Sequence, residues 1–111
     1  MLYVSPTTKI FVCSQPVDFR KGIDGLAAVC RNKLDQDPHA GALFVFRNRK
    51  RSSIRLLIYD GQGFWLCSKR LSRGKFHWWP EGPTMNVRQI LTLFWNGNPE
   101  LAKFSTDWKK V

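Results

Sequence analysis

A chain of 111 residues that is 43% hydrophobic and 14% aromatic can fold around one modest core and is too apolar to stay disordered. Eighteen Lys and Arg against eight Asp and Glu leave a formal charge of +10, which predicts attraction to polyanions and makes a merely solvated surface the weaker explanation. No apolar run is long enough to cross a bilayer and the opening "MLYVSPTTK" lacks the order of a signal peptide, so a cytoplasmic protein without a membrane partner is expected.

In chain order, Lys9 to Ser14 reads as a short strand. The following "PVDFRKGIDGLAAVCRNKL" reads as a helix with Asp18 as N-cap, because Phe19, Ile23, Leu26, Ala27, Cys30 and Leu34 recur at helical spacing. Gly22 and Gly25 inside it each cost about 1 kcal/mol relative to alanine, which suggests close packing against another backbone. Asp37-Pro38 ends the segment. Three strands are then expected at Ala42–Arg47, Ile54–Tyr59 and Phe64–Lys69, with Asp60-Gly61-Gln62-Gly63 as a hairpin turn. A fourth short strand is expected at Lys75 to Trp79 before "PEGP" breaks it. Asn86 caps a second amphipathic helix carrying Val87, Ile90, Leu91 and Phe94, closed by Gly97. Together these give one α+β domain over 1–111, a twisted antiparallel meander of about four to five strands with two helices, residues 81–111 forming the C-terminal helix and tail.

The chemistry-bearing residues are sparse. Cys13, Cys30 and Cys67 form no Cys-x-x-Cys pair, and His39 and His77 stand at no ligand spacing from them, so neither a metal nor a cofactor is expected. Two-metal nuclease chemistry needs clustered acids, for which the choices are Asp18, Asp24 and Asp60. Each has a simpler role: helix cap, ion-pair partner of Arg20 and Arg31, and turn residue. No nucleophile stands beside an activating base. A small basic ribonuclease of the toxin type, using His77, Tyr59 and Arg70, is the enzymatic alternative, and it rests on size and charge alone. A general single-stranded nucleic-acid-binding module is a further one, through the aromatic run Phe76-His77-Trp78-Trp79. Trp78 is expected in the core and Trp95 on the surface.

The charge has a location. Residues 47–75 hold nine of the eighteen basic residues and one acid, Asp60. If the first long strand rises to Arg47, residues 48–53 form a hairpin tip, and the third strand returns Lys69 and Arg70 to that same end. Basic residues at hairpin tips and sheet edges also deter edge-to-edge pairing, but two clusters expected to meet favour phosphate contact. The expected nucleic-acid contacts are Arg47, Arg49, Lys50, Arg51, Arg55, Lys69, Arg70, Arg73 and Lys75, with Arg20 and Lys21 as a secondary contact at a helix start.

Several motifs carry a resemblance: Asp18-Phe19-Arg20-Lys21-Gly22 with Asp24-Gly25-Leu26, Phe44-Val45-Phe46 with Asn48-Arg49, Asp60 with Gly63-Phe64-Trp65-Leu66, and Lys69-Arg70-Leu71 with Gly74 and Phe76. Over roughly residues 8–80 the chain resembles the small accessory protein, second-reading-frame and TnpB-type, of a large family of bacterial insertion sequences. The resemblance implies a non-catalytic role in DNA transposition beside a separate, larger transposase, with DNA, the transposase or both as partners. It carries no catalytic residue over. Ser72 and Tyr59 depart from it, standing where an acid and a tryptophan are expected.

Overall fold

The computed structural model describes Ser5 and residues 7–97, so the tail beyond Gly97 lies outside the described residues. The elements run β1 (Ile10–Val12), α1 (Ile23–Lys33), β2 (Leu43–Arg47), β3 (Ser53–Tyr59), β4 (Phe64–Arg70), β5 (Thr84–Met85) and α2 (Val87–Phe94). One α+β domain results, its five strands in the order β4-β3-β2-β1-β5.

Alternation builds the core on both faces of that sheet. In β2, Leu43 and Val45 point one way and Phe44 and Phe46 the other, and all four are fully buried. The first pair joins Ile10, Val12, Ile54 and Leu56 under Ile90 and Leu93 of α2. The second joins Leu57 under Leu26 and Cys30 of α1, with Phe11 stacked on Phe44 at 5.7 Å. Burying each of these side chains stabilises the fold by about 1.5–3 kcal/mol.

β2, β3 and β4 form the expected antiparallel meander. β1 pairs with β2 in parallel, Ile10 opposite Leu43, and β5 closes antiparallel on β1. The sheet is therefore mixed. The parallel pair follows from α1, which occupies the connection between β1 and β2 and returns the chain to the starting end of the sheet.

Two local expectations are corrected. Helix α1 starts at Ile23 with Gly22 at the N-cap and no side-chain cap. Asp18 instead closes the preceding turn, accepting from the backbone N–H of Arg20 at 2.9 Å and from its guanidinium. The space at Gly25 is filled by its own neighbour, since an added Cβ would meet the Cβ of Lys21 at 2.8 Å. The second correction concerns residues 75–79, which form no strand. This stretch crosses the end of the sheet as a strap. Phe76 N–H donates to Arg51 O at 2.7 Å, Trp79 Nε1 donates to Cys13 O at 3.2 Å, and Val12 N–H then donates to Pro83 O. A segment tied to the β2–β3 tip at one point and to the residue after β1 at another cannot lie along a single strand. Its aromatic content serves the core: Phe76 is buried, and Trp78 and Trp79 are half-buried against the α2 side.

Helix α2 starts as expected. Asn86 accepts from Gln89 N–H at 2.8 Å while the Gln89 side chain accepts from Asn86 N–H, a reciprocal capping box.

Candidate nucleic-acid interface

The β2–β3 connection is organised by one side chain. Asn48 Oδ1 accepts from Ser52 N–H at 3.0 Å and from Ser53 N–H at 3.1 Å, while Asn48 Nδ2 donates to Ser52 Oγ. The Asn48 side chain thus adds to the backbone bond from Asn48 N–H to Ser53 O, and Arg49, Lys50 and Arg51 stand exposed at the tip. Arg51 adopts a left-handed conformation, φ 59°, with its N–H on Asn48 O.

The two basic segments converge. The β3–β4 register sets Arg70 opposite Ser53 and Lys69 opposite Ile54. Leu71 N–H then donates to Ser52 O at 2.9 Å, and the strap's Phe76 binds Arg51 O. Arg49, Lys50, Arg51, Arg70, Arg73 and Lys75 are all exposed at this end. The loop before α1 joins them through Val17 N–H, which donates to Arg47 O at 3.0 Å. Between this loop and the tip lies an open groove of about 520 Å³, lined on one side by Pro16–Arg20 and on the other by Asn48, Arg49 and Lys50. Arg20 reaches its rim in an exposed pair with Asp18 at 2.7 Å, and Lys21 follows it, exposed. The Arg20 guanidinium holds the Asp18 carboxyl at about 2.

Three of the expected contact residues are engaged within the fold. Arg55 is half-buried: its NH1 donates to Phe19 O at 2.6 Å and Lys21 O at 3.3 Å, and its guanidinium carbon lies 4.6 Å from the Phe19 ring centroid. Arg47 is half-buried too, donating to Asn48 O and packing 5.8 Å from Trp79. Burial, then the neighbouring Arg51, pushes its pKa down from the ordinary value, though a guanidinium stays charged. Lys69 Nζ donates to Phe94 O at the C-terminal end of α2 and lies 5.5 Å from the Trp95 ring, a favourable place for a cation. Sequence reading overlooked the role of Arg55, yet parity signals it. In a strand buried on both faces, Arg55 lies between Ile54 and Leu56 and so must share the α1 side with Leu57.

The acids lie elsewhere. Asp60, exposed at the opposite end of β3, accepts from Gln62 N–H, Gly63 N–H and Trp65 Nε1, and the two backbone donors chiefly lower its pKa. Asp18 is paired at the basic end, so the two are not neighbours. Among the described residues no three His, Cys, Asp or Glu gather as a metal set. Tyr59 and Arg70 stand at opposite ends of the β3–β4 ribbon, facing Phe64 and Ser53, so with His77 they form no common site. Burial raises the pKa of the Cys13 thiol and pushes that of Cys30 up to about 12, which disfavours the reactive thiolate at both.

Comparison with known proteins gives the chain its setting. It is 42% identical over 76 residues to the uncharacterized protein y4jC of Sinorhizobium fredii, a match covering 68% of this chain and 65% of that protein. It is 37% identical over 78 residues to y4hO of the same organism, covering 70% of this chain and 68% of the relative. No solved structure matches. The family model described as IS66 Orf2 like protein matches residues 8–98, a span that includes the hairpin tip, the strap and α2. The chain therefore belongs to the IS66 Orf2-like family of transposition-associated accessory proteins.

Proposed function

We propose that this accessory protein binds DNA through the basic end of its sheet, without catalysing a reaction, and so holds nucleic acid for a separate transposase. The observation that carries the reading is the meeting of two basic segments, distant in sequence, around one hairpin tip whose loop is fixed by Asn48. Arg49, Lys50, Arg51, Arg70 and Arg73 are the phosphate contacts, with Arg20, Lys21 and Lys75 at the margins. Arg55, Arg47 and Lys69 act mainly by positioning backbone, for they already hold internal acceptors. Phosphate contacts fix where a protein sits without reading sequence, so affinity should depend strongly on salt and weakly on base order.

The test is fluorescence anisotropy against a duplex at several salt concentrations, with the wild type and the triple substitution Arg49→Ala, Lys50→Ala, Arg51→Ala. Each lost phosphate contact removes about 0.9 from the slope of log K against log salt, so the triple variant should flatten it by about 2–3. Unchanged affinity in a folded triple variant would overturn the proposal.

A further inference from the structure

Helix α2 ends at the basic end of the sheet, and its end is fastened there from two sides. Lys69 Nζ holds Phe94 O from β4. Asn96, in a left-handed conformation with φ 57°, donates through Nδ2 to Lys75 O at 3.1 Å and accepts at Oδ1 from His77 N–H at 2.9 Å. The same strap is bonded one residue on, at Phe76, to Arg51 of the tip. Between these fastenings stands Trp95, 57% exposed, with the Lys69 ammonium 5.5 Å from its ring. More than half of the Trp95 surface is thus exposed, beside exposed cations of the proposed phosphate-binding end. The other well-exposed tryptophan among the described residues, Trp65, sits at the far end of β4 with its Nε1 donating to Asp60.

From this we infer that Trp95 is a stacking platform for an unpaired nucleobase, and that the preferred ligand of the basic end is DNA with a single-stranded segment. This rests on the proposed nucleic-acid function and narrows its substrate. A base whose backbone follows Arg70, Arg73 and Lys75 meets the Trp95 ring at the edge of that path, where Lys75 O is held by Asn96. Stacking suits any base because each has a π-face, and a duplex, whose bases are already stacked on one another, offers none. The charge pattern favours a polyanion over a protein partner at this rim, since exposed Lys75 and Arg73 adjoin it and Asp60 is remote.

Three ligands of equal length separate the possibilities: an oligothymidylate strand, the same strand with interspersed abasic sites, and a duplex. Each is titrated by anisotropy against the full-length protein and against Trp95→Ala, Trp95→Phe and Trp65→Ala. The intact strand should bind about tenfold more tightly than the abasic strand, a difference that Trp95→Ala abolishes and that Trp95→Phe and Trp65→Ala retain. Duplex affinity should be unchanged by Trp95→Ala. Equal binding of intact and abasic strands overturns the stacking role while leaving the phosphate-binding reading in place. Equal weakening of all three ligands by Trp95→Ala also overturns it, as the mark of a structural side chain or of a surface covered by protein. No binding of any ligand overturns both readings. Thermal melting of each variant shows whether it is folded before affinities are compared.

Discussion

Replacing Arg55 by methionine keeps the apolar stem and deletes the guanidinium that ties β3 to the loop before α1. That group makes a charge-assisted hydrogen bond of 2.6 Å to Phe19 O, a longer contact of 3.3 Å to Lys21 O, and a cation–π contact at 4.6 Å. A hydrogen bond to a charged group contributes about 1.5–3 kcal/mol and an exposed cation–π contact about 0.5–1 kcal/mol. Against this, Arg55 Nε is buried without a partner, and its removal returns part of the desolvation cost. The Lys21 carbonyl, on an exposed residue, can also turn to water. A net loss of about 2 kcal/mol follows, which in a domain of this size lowers the melting temperature by roughly 8–16 °C. Urea unfolding followed by tryptophan fluorescence measures it directly, with the m-value checking that the same surface unfolds. Arg55→Lys should recover little, because an ammonium on a shorter reach cannot span two carbonyls while lying over a ring. A folded Arg55→Met protein with wild-type stability and sharply weakened DNA binding would refute the reasoning, since it would make Arg55 a phosphate ligand and not a positioning residue.

Two further outcomes are expected. Arg51→Gly should keep or raise stability by up to about 1 kcal/mol, because glycine occupies φ 59° without the steric cost a side chain incurs there, while DNA affinity falls; a destabilised variant in urea titration would contradict this. On acidification the folded-state pKa values of Asp18, about 2, and of Asp60 lie below their unfolded values, so their stabilising contribution is complete above the ordinary carboxylate pKa and is lost as pH falls from about 4 towards 2. Circular dichroism melts across that range should show decreasing stability, and replacing both with asparagine should flatten the dependence.

The sequence carries some of this architecture openly and some not at all. Leu43/Val45 against Phe44/Phe46 announces a strand buried on both faces, and Asn86 with Gln89 announces the start of α2, because both signals involve neighbours in the chain. The direction of the strands also follows from short loops, so the meeting of Arg49–Arg51 with Arg70–Lys75 was foreseeable. The helix start was misplaced because Asp18 offers the same acceptor to a turn as to a helix, and only the pairing with Arg20 decides between them. Residues 75–79 have a strand's composition and a strap's path, which is set by distant acceptors at Arg51 and Cys13. The parallel pairing of β1 with β2 is of the same kind, a choice of neighbour that no local pattern encodes. The division of the basic residues into exposed side chains and internal clamps likewise depends on which carbonyls lie within reach.

The remote position of Asp60 has a consequence for motion. His39, next to Asp37, packs its ring 4.8 Å from Tyr59 and 5.1 Å from Phe64, which places the loop after α1 beside the 60–63 turn. That far end mixes Asp35, Asp37 and Asp60 with Arg31 and Lys33, so its charges nearly cancel, while the tip end is almost wholly positive. The described residues therefore carry an electric dipole aligned with the strands, in a chain that is also a net cation. In the field of a polyanion such a body experiences a torque in addition to a pull, and an approach that begins with the wrong end forward is turned before contact. Orientation is then settled during diffusion, a gain in encounter rate that grows as the ionic strength of the medium falls.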